Sequence, residues 1–226
     1  MVNSKMKNME RVHSGLVDQI LSNARPVRRV SALWVQWLAW LALSLAVVSF
    51  TLLKVGWQSE AGLVFKRMPP IAFILTAFIG AALAAWEAIA SSMPGRQTQK
   101  TYRIFSILVL LVLVALPFLF FYPTGERFDV IGAFCNGLEC VERVALIGIV
   151  PWILLGRILS RNASFSPGWT GAWAGASAFL IGTIAVQFHC PSWDARHMLA
   201  AHLLPVVLLV FPTAFIGAYW FSRWRK

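Results

Sequence analysis

CVERVALIGIVPWILLGRILS at residues 140–160 and GAWAGASAFLIGTIAVQFHC at residues 171–190 are consecutive apolar runs, the first opening on a cysteine and the second closing on one. Each is long enough to cross a bilayer core of about 30 Å as a helix rising about 1.5 Å per residue. The connection from Ser160 to Thr170 is short, so the two helices are expected to be antiparallel neighbours. A chain that crosses between the cysteines and returns brings Cys140 and Cys190 to the same face. Gly171, Gly175, Ala178 and Gly182 form a stripe of small residues along the second run, which lets another helix approach closely. Which helix fills that stripe is open.

Four more runs have the same character: Val30 to Leu53, Pro70 to Ala90, Ile104 to Phe121 and Met198 to Phe221, beside Val141 to Leu159 and Gly171 to Phe188. Hydrophobic residues make up 58% of the chain and charged ones 13%, against about 25% charged in a soluble domain. The expected fold is all-α: a polytopic membrane protein with six transmembrane helices in one bundle. Pro117, Pro151, Pro205 and Pro212 fall inside spans and are expected to kink them. A polar segment of nearly thirty residues precedes the first span, without the small-residue pattern of a cleavable signal peptide.

Basic residues near short loops resist translocation and so set orientation. Placing the N-terminus, the loop with Arg96, Lys100 and Arg103, the loop with Arg157 and Arg161, and the tail Arg223, Arg225 and Lys226 on one side collects 14 of the 20 Lys and Arg. That side is the cytoplasm, and both termini are expected there. The other side has Lys54, Lys66, Arg67, Arg127, Arg143 and Arg196 among six of the nine acids. The net charge of +11 is spread over separate cytoplasmic segments, a pattern explained by anionic lipid headgroups rather than by direct nucleic-acid binding. Bacterial inner membrane is the expected location.

Two regions are distinguished, residues 1–29 and the membrane domain 30–226. In the first, Met9, Val12, Leu16 and Ile20 recur at helical steps with Val17 and Leu21 beside them, while Glu10, Arg11, Asp18 and Gln19 face elsewhere. This is the pattern of a short amphipathic helix, which needs a membrane surface, the protein itself or a partner's groove to be stable. It ends at Arg25-Pro26-Val27-Arg28-Arg29, where Pro26 disfavours helix at the residue before it. An interfacial lipid anchor and a docking peptide for a cytoplasmic protein both remain open; acids gain nothing near anionic headgroups, so Glu10 and Asp18 count slightly for docking.

On the outer side the chemistry gathers around Cys140 and Cys190, with Cys135 nearby in a Gly-containing loop expected to be flexible. A structural disulfide, a reversible thiol sensor, a metal-binding sensor and an uninvolved pair all remain open, since thiols in the periplasm can be oxidised. His189 adjoins Cys190, and His197 and His202 add imidazoles to the same region. A thiolate and imidazole set built on Cys140, His189 and Cys190 suits copper(I), zinc or cadmium, although no compact CxxC or HxxxH spacing marks a metal site. No resident cofactor is indicated. His202 lies within a span and is read as a packed histidine, and Glu87 as a carboxylate reaching the cytoplasmic interface.

The punctuation of the chain resembles a known family, the NrsF-type membrane anti-sigma factors. The resembling residues are Leu16-Val17-Asp18-Gln19-Ile20-Leu21 running into Pro26-Val27-Arg28-Arg29, Cys140 with Pro151, Arg161, Pro167, Gly171-Ala172-Trp173-Ala174-Gly175, His189-Cys190-Pro191, Gly217 and Arg223-Trp224. The resemblance implies a non-enzymatic protein that holds an extracytoplasmic-function sigma factor at the membrane and releases it on an envelope signal. It also implies that Cys140 and Cys190 are the family's two outer-side cysteines, associated with heavy-metal or oxidative stress; Cys135 departs from the pattern. Val12, Leu16, Asp18, Ile20, Leu21, Arg25, Pro26, Arg28 and Arg29 are the expected partner-binding residues. Two other classes compete. A metal or solute transporter would want more polar residues in mid-span than Gln36, Ser44 and Thr183, and a membrane thiol-redox protein would want a tighter pair than Cys135 and Cys140.

Overall fold

The computed structural model describes residues 31–55, 68–93, 100–120, 130–162, 164–190, 192 and 194–222. The partner-binding segment, with Val12, Leu16, Asp18, Ile20, Leu21, Arg25, Pro26, Arg28 and Arg29, lies outside the described residues. Within them the chain is helical, without strands. In order come α1 (Leu33–Val55), α2 (Met68–Ser91), α3 (Lys100–Phe120), α4 (Val130–Asn136), α5 (Leu138–Leu159), α6 (Pro167–Gln187), α7 (Ala195–His197), a π-helical turn (Met198–Leu203) and α8 (Leu204–Trp220).

Helix α6 is the hub. It packs against α2, α5 and α8, and from Thr170 to Gln187 every residue except Ala172 is buried. Its small residues explain why. A Cβ on Gly171 would fall 2.8 Å from Gly217 Cα, one on Gly175 2.8 Å from Thr213 Cβ, and one on Gly182 3.1 Å from Gly148 N. The stripe therefore serves two neighbours, α8 at its start and α5 near its end. Pro167 occupies the first turn of α6, where its missing N–H costs nothing, and the helix starts four residues before the apolar run suggested.

Side-chain hydrogen bonds tie the bundle where apolar packing has no direction. Trp37 Nε1 donates to Ala82 O at 2.8 Å, Trp40 Nε1 to Pro151 O at 3.2 Å and Ser177 Oγ to Ala81 O at 2.9 Å. At one end Asn162 Nδ2 donates to Gln36 Oε1 at 3.1 Å and to Ser92 Oγ at 2.7 Å. All three residues are buried. That knot joins the end of α5 to the start of α1.

Five described helices are long and apolar enough to cross a membrane: Leu33–Lys54, Ile71–Ser91, Tyr102–Leu119, Pro167–Gln187 and Ala195–Trp220. Their outer faces carry Phe50, Leu53, Leu111, Leu119, Phe211 and Phe215, all exposed, an apolar surface that suits lipid contact. The expected sixth crossing, α5, has 22 residues but carries Glu139, Glu142, Arg143 and Arg157 toward its ends. Two local expectations change. Cys135 sits in helix α4 rather than in a flexible loop, and Glu87 is buried rather than at an interface.

Candidate functional site

Three elements deliver the site. Cys140 lies in the first turn of α5, Cys190 two residues beyond the C-cap of α6, and His197 and His202 across α7 and the π-helical turn. In an α-helix five residues advance the side chain to about 140° from where it began, so His197 and His202 would diverge. The wider π turn, closed by i to i+5 bonds, returns the fifth residue toward the same face. The two rings are 5.3 Å apart between centroids, at 63°.

Local chemistry fixes that turn at both ends. Asp194 caps α7, which runs straight into the π turn, by accepting from the Arg196 backbone N–H at 2.9 Å, while the Arg196 guanidinium donates to its carboxylate at 2.7 Å. Those contacts, the guanidinium's first, hold the Asp194 carboxyl below its usual range. At the other end Pro205 enters the first turn of α8, where its ring removes a backbone donor. Thr183 Oγ1 of α6 donates to His202 O at 2.9 Å and pins the turn sideways.

Cys140 Sγ and Cys190 Sγ are 3.6 Å apart, and Cys190 Sγ is 3.1 Å from His197 Nε2. One ligand atom from each of Cys140, Cys190, His197 and His202 lies within 4.8 Å of the other three. Cys190 and His202 are buried, while Cys140 and His197 are half-buried. A shared S–H hydrogen bond separates the thiols electrostatically: it lowers the Cys140 pKa, with the two imidazoles helping against partial burial, and together with desolvation raises that of Cys190. Cys140 is thus the first thiolate and the better nucleophile. A cavity of about 290 Å³ is lined by Gly132, Asn136, Ser192, Asp194 and Arg196 and by His197 of the cluster.

The chain between Cys140 and Cys190 turns back as expected from its two apolar runs, and both cysteines are free thiols. Cys135 is exposed and is not a member of the cluster. His189 is buried beside Cys190 in sequence but does not join it either; His197 and His202 take the positions expected of it. The signal for that exchange is the π turn, which no i, i+4 pattern reveals. Its sequence trace is a proline three residues after a histidine.

The chain was compared with known families and proteins. A family described as "Negative regulator of sigma F" (NrsF) matches residues 21–224. The chain belongs to the NrsF family. No curated protein and no solved structure matches it. NrsF membership implies a regulatory role, negative regulation of a sigma factor, and with it a sigma factor as partner. The NrsF match runs through all four residues of the cluster.

Proposed function

We propose that this chain is an anti-sigma factor of the bacterial inner membrane, with six crossings and both termini cytoplasmic. It sequesters an extracytoplasmic-function sigma factor through residues 1–29 and releases it when an oxidant or heavy metal reacts at Cys140 and Cys190 on the outer side. The observation that carries the reading is the position of Cys140 on α5. Cys140 lies in the first turn of a helix about 33 Å long, and Asn162, just beyond its far end, is hydrogen bonded to Gln36 at the start of α1. Ser31, whose carbonyl accepts from Gln36 Nε2 at 3.0 Å, lies two residues after the proposed partner-binding segment in sequence.

Oxidation of the pair removes two electrons and two protons, which hydrogen peroxide takes up to leave as two waters. The Sγ atoms must close from 3.6 Å to a bond length of about 2.05 Å. That movement is small, but α5 packs tightly on α6 at Gly148 and Gly182, so it favours one helix arrangement over another. Moving a partner from nearly all bound to nearly all free needs about 5 kcal/mol of differential binding, within reach of a covalent or metal–thiolate bond. Basic Arg25, Arg28 and Arg29 complement an acidic partner surface and speed encounter.

The test is co-purification from native membranes. The full chain retains a sigma factor, deletion of residues 1–29 abolishes retention, and peroxide or cadmium releases the partner from the wild type but not from Cys140→Ser or Cys190→Ser. Retention without residues 1–29 overturns the docking half, and release from both serine variants overturns the sensing half.

A further inference from the structure

His202 is fully buried, and no hydrogen bond of ordinary geometry satisfies either ring nitrogen; the polar group it interacts with is the Cys140 thiol, itself a member of the cluster. A buried imidazole left so loses its hydration without full compensation, and a neutral imidazole nitrogen is among the commonest metal ligands. The ring faces a group whose spacing fits an ion. A tetrahedral zinc-type centre with metal–sulfur bonds of about 2.3 Å and metal–nitrogen bonds of about 2.0–2.1 Å places its ligand atoms roughly 3.3–3.8 Å apart. Here the sulfurs are 3.6 Å apart, Cys190 Sγ and His197 Nε2 are 3.1 Å apart, and all four ligand atoms lie within 4.8 Å of one another.

We propose that Cys140, Cys190, His197 and His202 form one four-coordinate site for a divalent, thiolate-preferring ion of the zinc or cadmium class. Charge favours a divalent ion over copper(I). Two thiolates and two neutral imidazoles cancel a 2+ charge, whereas a monovalent ion leaves a net negative charge where Cys190 and His202 are buried. Binding displaces two thiol protons to solvent. The π turn acts as the second half of the site, because it alone brings His197 and His202 to one face. Arg196 and Asp194 line the cavity beside His197, and Thr183 donates to the His202 backbone carbonyl. Metal and disulfide are mutually exclusive, since each uses both sulfurs. This deepens the sensing half of the proposed function and rests on it for its biological use, not for the binding itself.

The test uses the full chain in detergent, reduced and metal-free, titrated with Co²⁺ and Cd²⁺ while thiolate charge-transfer and cobalt d–d bands are recorded. One ion per chain with a tetrahedral cobalt spectrum is expected, unchanged in Cys135→Ser. His202→Asn should weaken binding by at least about 100-fold, since even outer-shell substitutions cost about 10–100-fold, and His202→Cys should restore it because thiolate replaces imidazole as a ligand. That rescue separates ligation from a packing role. Failure of the reduced wild type to bind, or equal binding by a His197→Ala/His202→Asn double variant, overturns the site. Sigma-factor retention in the same membranes is read separately: metal bound with the partner still held overturns the sensing reading and leaves the site standing.

Discussion

Cys140 and Cys190 are chemically unequal because the hydrogen bond between them lowers the pKa of Cys140 and raises that of Cys190, while burial raises both. The lowered pKa of Cys140 means that its thiolate persists as pH falls below the ordinary thiol range, while Cys190 stays protonated as pH rises through it. In a Cys135→Ser background, maleimide labelling of the reduced protein should therefore begin at Cys140 in mildly acidic buffer, with Cys190 following only in alkali, as read by peptide mass spectrometry. Asp194 gives a second residue-scale test. Its folded pKa is depressed by Arg196, so its contribution to the turn is full above its ordinary carboxyl range and fades only as pH falls through the lowered value. Asp194→Ala should cost about 1 kcal/mol at neutral pH, seen as faster hydrogen exchange in the peptide spanning residues 195–204.

Helix contacts carry the site more than any single residue does. Gly175 lies against Thr213 and Gly182 against Val144 and Gly148, so a side chain at either position forces α6 away from a neighbour. Gly182→Val should destabilise the bundle by about 1–3 kcal/mol and also separate Cys140 from Cys190, lowering the yield of their disulfide under mild peroxide; Gly175→Val, facing α8, should destabilise without separating the thiols. At the other end of α5, Asn162→Ala leaves Gln36 and Ser92 short of a buried partner, a loss of about 1–3 kcal/mol. Thermal unfolding in detergent checks both magnitudes. If α5 links input to output, Asn162→Ala also retains the sigma factor while blunting its release by peroxide.

Across the whole molecule, one end gathers thiols and imidazoles and the opposite end gathers Gln36, Ser92 and Asn162, with an apolar body between them. That division suits a regulator that reacts on one face and docks on the other. An impermeant thiol reagent applied to intact spheroplasts should label exposed Cys135, and an N-terminal reporter should be active only inside; the reverse pattern would invert the proposed orientation. Much of this arrangement is legible in the chain. The approach of Cys140 to Cys190 follows from two adjacent apolar runs and a short loop, because helix rise per residue is fixed. The small-residue stripe on α6 is legible too, but its two partners are not, because glycine spacing states that something comes close without naming it. His197 and His202 are present in the sequence as donors, yet their convergence is hidden because it depends on a π turn.

The sequence by itself determined an all-helical, largely apolar chain with its thiols paired at one end and its NrsF membership, since these depend on composition, periodicity and local punctuation. Only the tertiary structure decided that His197 and His202, rather than His189 and Cys135, stand with the two sulfurs. The physical reason is that ligand position depends on the backbone turn and the neighbouring helices that hold it, and Pro205, Thr183 and Gly137 act on that turn from separate parts of the chain.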